Sequence, residues 1–346
     1  MKSIIGYIVA VILLWAGAIY ISGQDTLQVD VWSSPRTQMS QGIGWDFWVS
    51  PYGVQDNLLE RMSQAKYSLD MWFYRITLSE AEQMMKNLAT LWVDVRRIWE
   101  NRPYEWIDQA FLKTKSRMEA YGIYVTDDEH MWLNFNHTKA IISDDDRFLI
   151  STANLTYTSV SKNREYRFVW DDPLVVDSLQ TIFEKDILWQ KVTMDDIHNS
   201  LLVCPVNCRQ QIELLLSHAN KSIVIQAQYI QDNNLIDILQ EKSKDLDIQI
   251  ITWKWQDEWR LDDLWLDNDH VRLLSDPYIH AKNILIDDTI LIMGSMNLSQ
   301  NALDNNREIG ILIDDSKAIK NFSRQFDTDR EAAKKYDEWN FETDGF

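Results

Sequence analysis

The stretch around His137 occurs a second time around His280, at one constant spacing. His137 and His280 lie 143 positions apart, and so do Lys139 and Lys282, Asp144 and Asp287, Asn154 and Asn297, and Glu165 and Glu308. Phe183 and Asp186 recur as Phe326 and Asp329 at the same interval. A chain that repeats one element is constrained to build two similar bodies, because each copy has the same apolar pattern to bury. The repeat also predicts a functional site with two-fold pseudosymmetry.

Upstream of these motifs the order of elements repeats at an offset of 154, with Ser50-Pro51 answered by Cys204-Pro205. In the first copy the periodicity predicts helices over 54–64, 79–89 and 105–121, with Ser79 as a cap and Glu82 three residues on. Strands are predicted over 68–74 and 92–99. The second copy reads as helix 209–218, strand 222–228, helix 233–244 and strand 248–253. Alternation of this kind argues for α/β layers. The expected organisation is one body over 44–190 and another over 200–335, joined through 190–201, with a charged tail after Arg330 read as a fraying helix.

The termini and the charge bound the setting. An apolar run from Ile4 to Ile21 has a length suited to a membrane-spanning helix. Residues 1–23 are therefore expected to be an anchor, with signal-peptide cleavage near Ala16-Gly17-Ala18 as the alternative. Residues 24–43 read as a polar stalk. Lys2 before the run, with Asp25 and Asp30 after it, predicts an extracytoplasmic body on a single-pass anchor. A net charge of −19 argues against broad adhesion to nucleic acid, where affinity comes from neutralising phosphates. Cys204 and Cys208 are too few for a metal site and are expected as two half-buried thiols at a strand-to-helix corner, with a disulfide closing a small loop as the alternative in an exported protein.

The repeated residues carry the chemistry. His137 and Lys139, like His280 and Lys282, stand two apart, so on a strand both project into one cleft. Thr289–Met293 reads as a following buried strand, ending in Gly294-Ser295. The Asp of each copy falls at a hairpin, where Asp144 and Asp287 are expected to hold the turn. An imidazole can attack phosphorus and form a covalent intermediate, and a second can protonate the leaving oxygen. Lysines and asparagines, here with Asn154 and Asn297, can hold the non-bridging oxygens. Glu165 and Glu308 are suited to fixing each imidazole's tautomer. No metal or other cofactor is called for.

These motifs resemble the repeated His-x-Lys-x4-Asp element of the phospholipase D superfamily, with its downstream Gly-Ser-x-Asn and Asn-Arg-Glu (here Asn163-Arg164-Glu165 and Asn306-Arg307-Glu308). The resemblance runs from about Trp45 to Asp329. It implies two α/β/α sandwich bodies about a pseudo-dyad and a ping-pong mechanism through phosphohistidine. With the apolar run read above, the expected fold is these two bodies behind an N-terminal transmembrane helix. His137 would then be the nucleophile and His280 the acid/base. Thr152 and Ser295 are candidate phosphate contacts, and Ser151-Thr152 departs from Gly-Ser in copy one.

His130, His198, His218 and His270 have no counterpart in the repeat and read as surface or packing residues. Arg96, Arg97, Arg102, Lys113, Lys115 and Arg117 read as a solvated face. Among sixteen tryptophans, Trp253, Trp255, Trp259 and Trp265 could line a lipid groove. Two substrates fit the motifs. A phospholipid membrane, serving as substrate and anchor, is favoured by the apolar segment and the acidity; nucleic acid is the alternative. An internal duplication removes the need for a second chain, so a monomer with no obligate protein partner is expected.

Overall fold

Six successive residues, Ser68–Phe73, form strand β2, which is buried on both faces from Leu69 onward. Burial on both sides is the pattern of a strand between two covering layers. The computed structural model describes residues 45–100, 109–127, 132–253 and 270–335. These lie within one compact unit, Thr37–Phe346. The first sheet runs β1 (Asp46–Val49), β8 (Tyr166–Trp170), β6 (Arg147–Ser151), β5 (Lys139–Ser143), β2, β3 (Asp94–Trp99) and β4 (Tyr124–Asp127). β2, β3 and β4 are parallel, with helices α2 (Ser79–Thr90) and α3 (Gln109–Ala120) in the crossovers. Helix α1 (Val54–Ser63) buries Val54, Leu58 and Met62, and α2 buries Ala81, Met85 and Leu88. Spacings of three and four put each set on one face.

The second sheet repeats the order: β9 (Leu201–Cys204), β16 (Glu308–Ile313), β15 (Ile290–Gly294), β14 (Lys282–Ile286), β10 (Ser222–Ala227), β11 (Asp247–Trp253) and β12 (Val271–Leu274). One short strand, β17 (Lys334–Lys335), is added at its edge. Helices α6 (Cys208–Ser217) and α7 (Asn233–Lys242) take the places of α1 and α2. Helix α5 (Pro173–Ile187) is matched by α9 (Ser316–Ala332). Asp172 and Asp315 cap these two, each accepting two N–H groups of the first turn.

The two bodies share a core in which Phe148, Ile150, Tyr166 and Phe168 of the first sheet meet Leu291, Met293, Ile309 and Ile311 of the second. Two-residue strands cross between them, β7 (Asn163–Arg164) pairing with β13 (Tyr278–Ile279). The ion pairs are reciprocal. Arg164 bonds Asp329 at 2.7 and 2.9 Å, and Arg307 bonds Asp186 at 3.0 Å. Each arginine thus reaches the aspartate of the other half. All four side chains are buried, and a buried pair that loses one member leaves an uncompensated charge.

At the two hairpins Asp144 and Asp287 take left-handed backbone, with φ of 55° and 53°, which Asp tolerates better than most residues. Their carboxylates accept the N–H groups of Lys66, Tyr67 and Ser68, and of Asn220, Lys221 and Ser222. They therefore tie each hairpin to the loop entering the neighbouring antiparallel strand, β2 or β10.

Several expectations are corrected. Cys204 and Cys208 form a disulfide and are fully buried; the turn from β9 into α6 brings their Cα atoms to 5.1 Å, within bridging distance. Ser79 is not a cap: Leu78 holds that position without a side-chain bond, and the Ser79 hydroxyl donates to Glu80. The basic cluster is not one solvated face. Arg97 is fully buried, its guanidinium carbon 3.4 Å from the centre of the Trp99 ring, and Arg96 is clamped by Asp70 and Glu184. The tail turns at Ala333 into β17 rather than continuing as helix. The expected anchor (1–23) and stalk (24–43), with Arg102, His130, Trp255, Trp259 and Trp265, lie outside the described residues. Among the described residues no helix is long and apolar enough to cross a membrane.

Candidate active site

Both motif histidines open onto one cavity of about 670 Å³. His137 precedes β5 and His280 precedes β14, and each is held by a bond from its own N–H to the opposite half. His137 N–H donates to the Arg307 carbonyl at 2.9 Å, and His280 N–H to the Arg164 carbonyl at 3.2 Å. The side chains cross over as well. His137 Nδ1–H donates to Glu308 at 2.9 Å, and His280 Nδ1–H donates to Glu165 at 2.7 Å. Each repeat therefore supplies the carboxylate that orients the other repeat's imidazole. With Nδ1 so occupied, Nε2 of each ring carries the lone pair.

Burial governs the charges. It pushes His137 down to about 4, against the pull of Glu308 and with the help of Lys139. His280 is lowered for the same reason, with Glu165 opposing. Both imidazoles are neutral near pH 7. Burial alone would raise Glu165, but His280 and Lys282 outweigh it and hold the carboxyl down at about 2. Glu308 is lowered likewise through His137 and Lys139. The lysines are buried behind the histidines, each donating to the carbonyl of its own motif histidine at 2.6 and 2.5 Å. Burial lowers Lys139 to about 7, with Glu308 opposing and Lys282 adding to the fall. Lys282 is lowered to about 8.

Asn154 and Asn297 line the cavity, and the side-chain oxygen of each is buried without a hydrogen-bond partner. Thr152 and Ser295 stand elsewhere than the sequence suggested. Both are fully buried and off the cavity wall. Thr152 Oγ1 donates to Glu165 at 2.6 Å, and Ser295 helps to hold Glu308 down. They position the carboxylates, to which both are bonded. Of the unrepeated histidines that are described, His198 accepts the Ser200 N–H and His218 bonds its own helix. Neither these nor His270 lines the cavity.

Sequence reasoning missed the rest of the wall. Tyr74 meets His137 edge-on at 5.0 Å, and Tyr278 stacks on His280 at 6.0 Å. Tyr74 and Gln228 are equivalent under the 154 offset, as are Phe135 and Tyr278 under the 143 offset. Asking which residues flank each motif in both copies would have found them. Trp253 is the one residue of the proposed lipid groove that is described; it packs edge-on to Tyr278 at 4.6 Å. Gln228, Tyr229, Gln231, Ser299, Gln300, Asn301 and Asn306 complete a neutral, hydrogen-bonding wall drawn mainly from the second half. Among the described residues no three His, Cys, Asp or Glu side chains gather as a metal site.

A site of paired, neutral imidazoles, each oriented by a buried carboxylate and backed by lysine, defines a phosphodiesterase-like centre of the phospholipase D class. The family described as "Cardiolipin synthase, PLD-like domain" matches residues 58–187 and again 212–330, and the chain belongs to it. Among solved structures, the fold is similar to a polyphosphate kinase from Porphyromonas gingivalis (TM-score 0.66, 16% identity), over 82% of this chain and 50% of that one. This chain thus spans half the length of that kinase. It is also similar to the phosphatidylserine synthase of Haemophilus influenzae Rd KW20 (TM-score 0.61, 14% identity), over 83% of this chain and 85% of that one. Nuc of Salmonella typhimurium, a phospholipase D family member, matches over 43% of this chain and 97% of its own, at 20% identity and a TM-score of 0.39. No curated protein matches the chain.

Proposed function

We propose that the chain is a metal-independent phosphodiesterase that hydrolyses or transfers the phosphatidyl group of phospholipids. His137 Nε2 attacks phosphorus as the bond to the leaving alcohol breaks, and His280 delivers a proton to that alcohol. His280 then removes a proton from water or an acceptor alcohol, which displaces His137 from phosphorus. The entering phosphodiester anion favours the protonated form of His280 that the first step uses. The amides of Asn154 and Asn297, which line the cavity, are the groups for the non-bridging oxygens, and Lys139 and Lys282 supply positive charge from behind the histidines. Glu165 and Glu308 hold the tautomers.

The observation that carries the lipid reading is the cavity wall. None of the described residues lining it is a lysine or arginine, whereas a nucleic-acid strand is held by a series of phosphate contacts. A single phosphodiester needs only the buried lysine pair. The net charge of −19 points the same way, and the family name and one structure of matching fold are those of phospholipid synthases. An exported or membrane-anchored nuclease is the second reading, because the catalytic unit itself does not choose between phosphodiesters. A monomer acting at a membrane to which its N-terminal segment is anchored completes the proposal. Release of head group from phospholipid vesicles in the presence of chelator is the expected result. Loss of single-stranded DNA or RNA without head-group release would replace the lipid reading with the nuclease, and strict dependence on added divalent metal would refute the mechanism.

A further inference from the structure

The internal repeat is a built-in control for surface composition, because equivalent positions carry the same fold. Among the described residues, every large apolar side chain that stays exposed lies between Tyr52 and Met194, in the first half or the join that follows it. Two of these, Trp132 and Trp189, stand on one rim. Their counterparts 143 positions on are Ser275 and Ala332. The fold therefore does not require indoles there.

Trp132 and Trp189 face a second cavity of about 290 Å³, walled also by Leu133, Val192, Pro205 and Val206. Arg307 also lines it; its carbonyl receives the His137 N–H, and its chain neighbour Asn306 lines the catalytic cavity. Trp132 is 87% exposed and Trp189 46%. Both hold positive φ, 59° and 55°, a conformation natural to glycine and unfavourable for a bulky side chain. Trp132, almost wholly in water on backbone that suits glycine and beside this cleft, is unexplained by packing.

We infer that this flank docks the first half onto the interfacial region of a phospholipid bilayer. Tryptophan suits that region, since its ring is apolar and its N–H seeks a polar partner. Exposed Lys191 on the same rim can meet a lipid phosphate. The net charge of −19 opposes adsorption to an anionic surface by long-range attraction, so apolar insertion is what remains. The apolar run Ile4–Ile21 gives the same chain an independent affinity for a bilayer. The inference supplies the lipid reading above with a docking face, but its test needs no turnover, so failure of one is distinguishable from failure of the other.

The full chain is added to phosphatidylcholine vesicles with brominated acyl chains, which quench an indole only where it enters the bilayer. W132G/W189G is expected to lose part of the wild-type quenching. W92G is the control: Trp92 is 94% exposed with φ 66°, but it precedes β3, at the end of the sheet away from His137, and quenching should stay at the wild-type level. Glycine suits all three positions, so folding should survive; if the double variant is unstable, W132G alone carries the comparison. Unchanged quenching in W132G/W189G, or a loss confined to W92G, overturns the inference. So does dimerisation without lipid that W132G/W189G abolishes, which would make a second copy the occupant.

Discussion

The two halves keep the same catalytic skeleton but have diverged around it. In the first half the positions flanking the motif are Tyr74 and Phe135, an edge-to-face aromatic pair at 6.3 Å, with Lys139 over the Tyr74 ring at 5.7 Å. In the second half they are Gln228 and Tyr278, joined by a 2.6 Å hydrogen bond. Behind the motifs the packing has been exchanged in sets. Where the second half pairs Gly294 with Gly310, filled by Met296, the first pairs Ser151 with Arg167 beside the small Ala153. A Cβ on Gly294 would fall 2.4 Å from the Gly310 Cα, so the Ser151 solution cannot be moved alone into the second half. Every residue that crosses between the halves is common to both: His with Glu, and Arg with Asp. Divergence is tolerated within each body and not at the exchange points, so the two bodies form one catalytic unit.

That reading can be broken first at the crossed carboxylates. Glu308→Gln should impair His137, and Glu165→Gln should impair His280, each lowering turnover by as much as roughly 10⁴-fold, the scale of losing a tautomer-fixing carboxylate. Their leaving-group dependence separates them: Glu165→Gln should be partly relieved by an activated leaving alcohol and Glu308→Gln should not. The reverse assignment would mean that each carboxylate serves its own half. Next are the crossed ion pairs. Asp329→Asn or Asp186→Asn leaves a buried guanidinium unpaired, and each should cost about 3–5 kcal/mol in denaturant unfolding. A change within error for both would show that the two bodies are not held by this exchange. The finest test is pH. Attack needs neutral His137 and so requires pH above about 4. Phosphate binding needs charged lysine and so weakens as pH rises through about 7 for Lys139 and about 8 for Lys282. The first step also needs protonated His280, whose value burial lowers. The profile of kcat/KM should therefore rise above about 4 and fall on the alkaline side as His280 and the lysines lose their protons. Lys139→Arg should remove the limb near 7. An unmoved limb would discharge Lys139 from that role.

Much of this was legible in the sequence, for a physical reason. A duplication prints its core and its polar exchange points twice, so His137, Lys139, Asn154, Glu165 and their partners stood out without coordinates. Strands such as Lys282–Ile286 are buried on both faces, and their ends were read within a residue or two. What the spacing did not carry was which half each group serves. Nothing in a constant interval says that Glu308 turns to His137 rather than His280, because that depends on the approach of two surfaces distant in sequence. Thr152 and Ser295 were misplaced for the same reason, as a hydroxyl at a strand end can face the cavity or the carboxylate behind it. Arg97 was misread because alternation with acids looks the same for a solvated face and for a cation buried on Trp99.

The most direct measurement is to quench turnover of phosphorus-labelled phospholipid and map the label on the protein. One phosphatidyl group per chain on the His137 peptide, accumulating in His280→Ala and absent from His137→Ala, is the predicted result. Label on His280, label on both histidines, or turnover that persists at the wild-type rate in His137→Ala would contradict a single phosphorus passing between two imidazoles drawn from opposite halves.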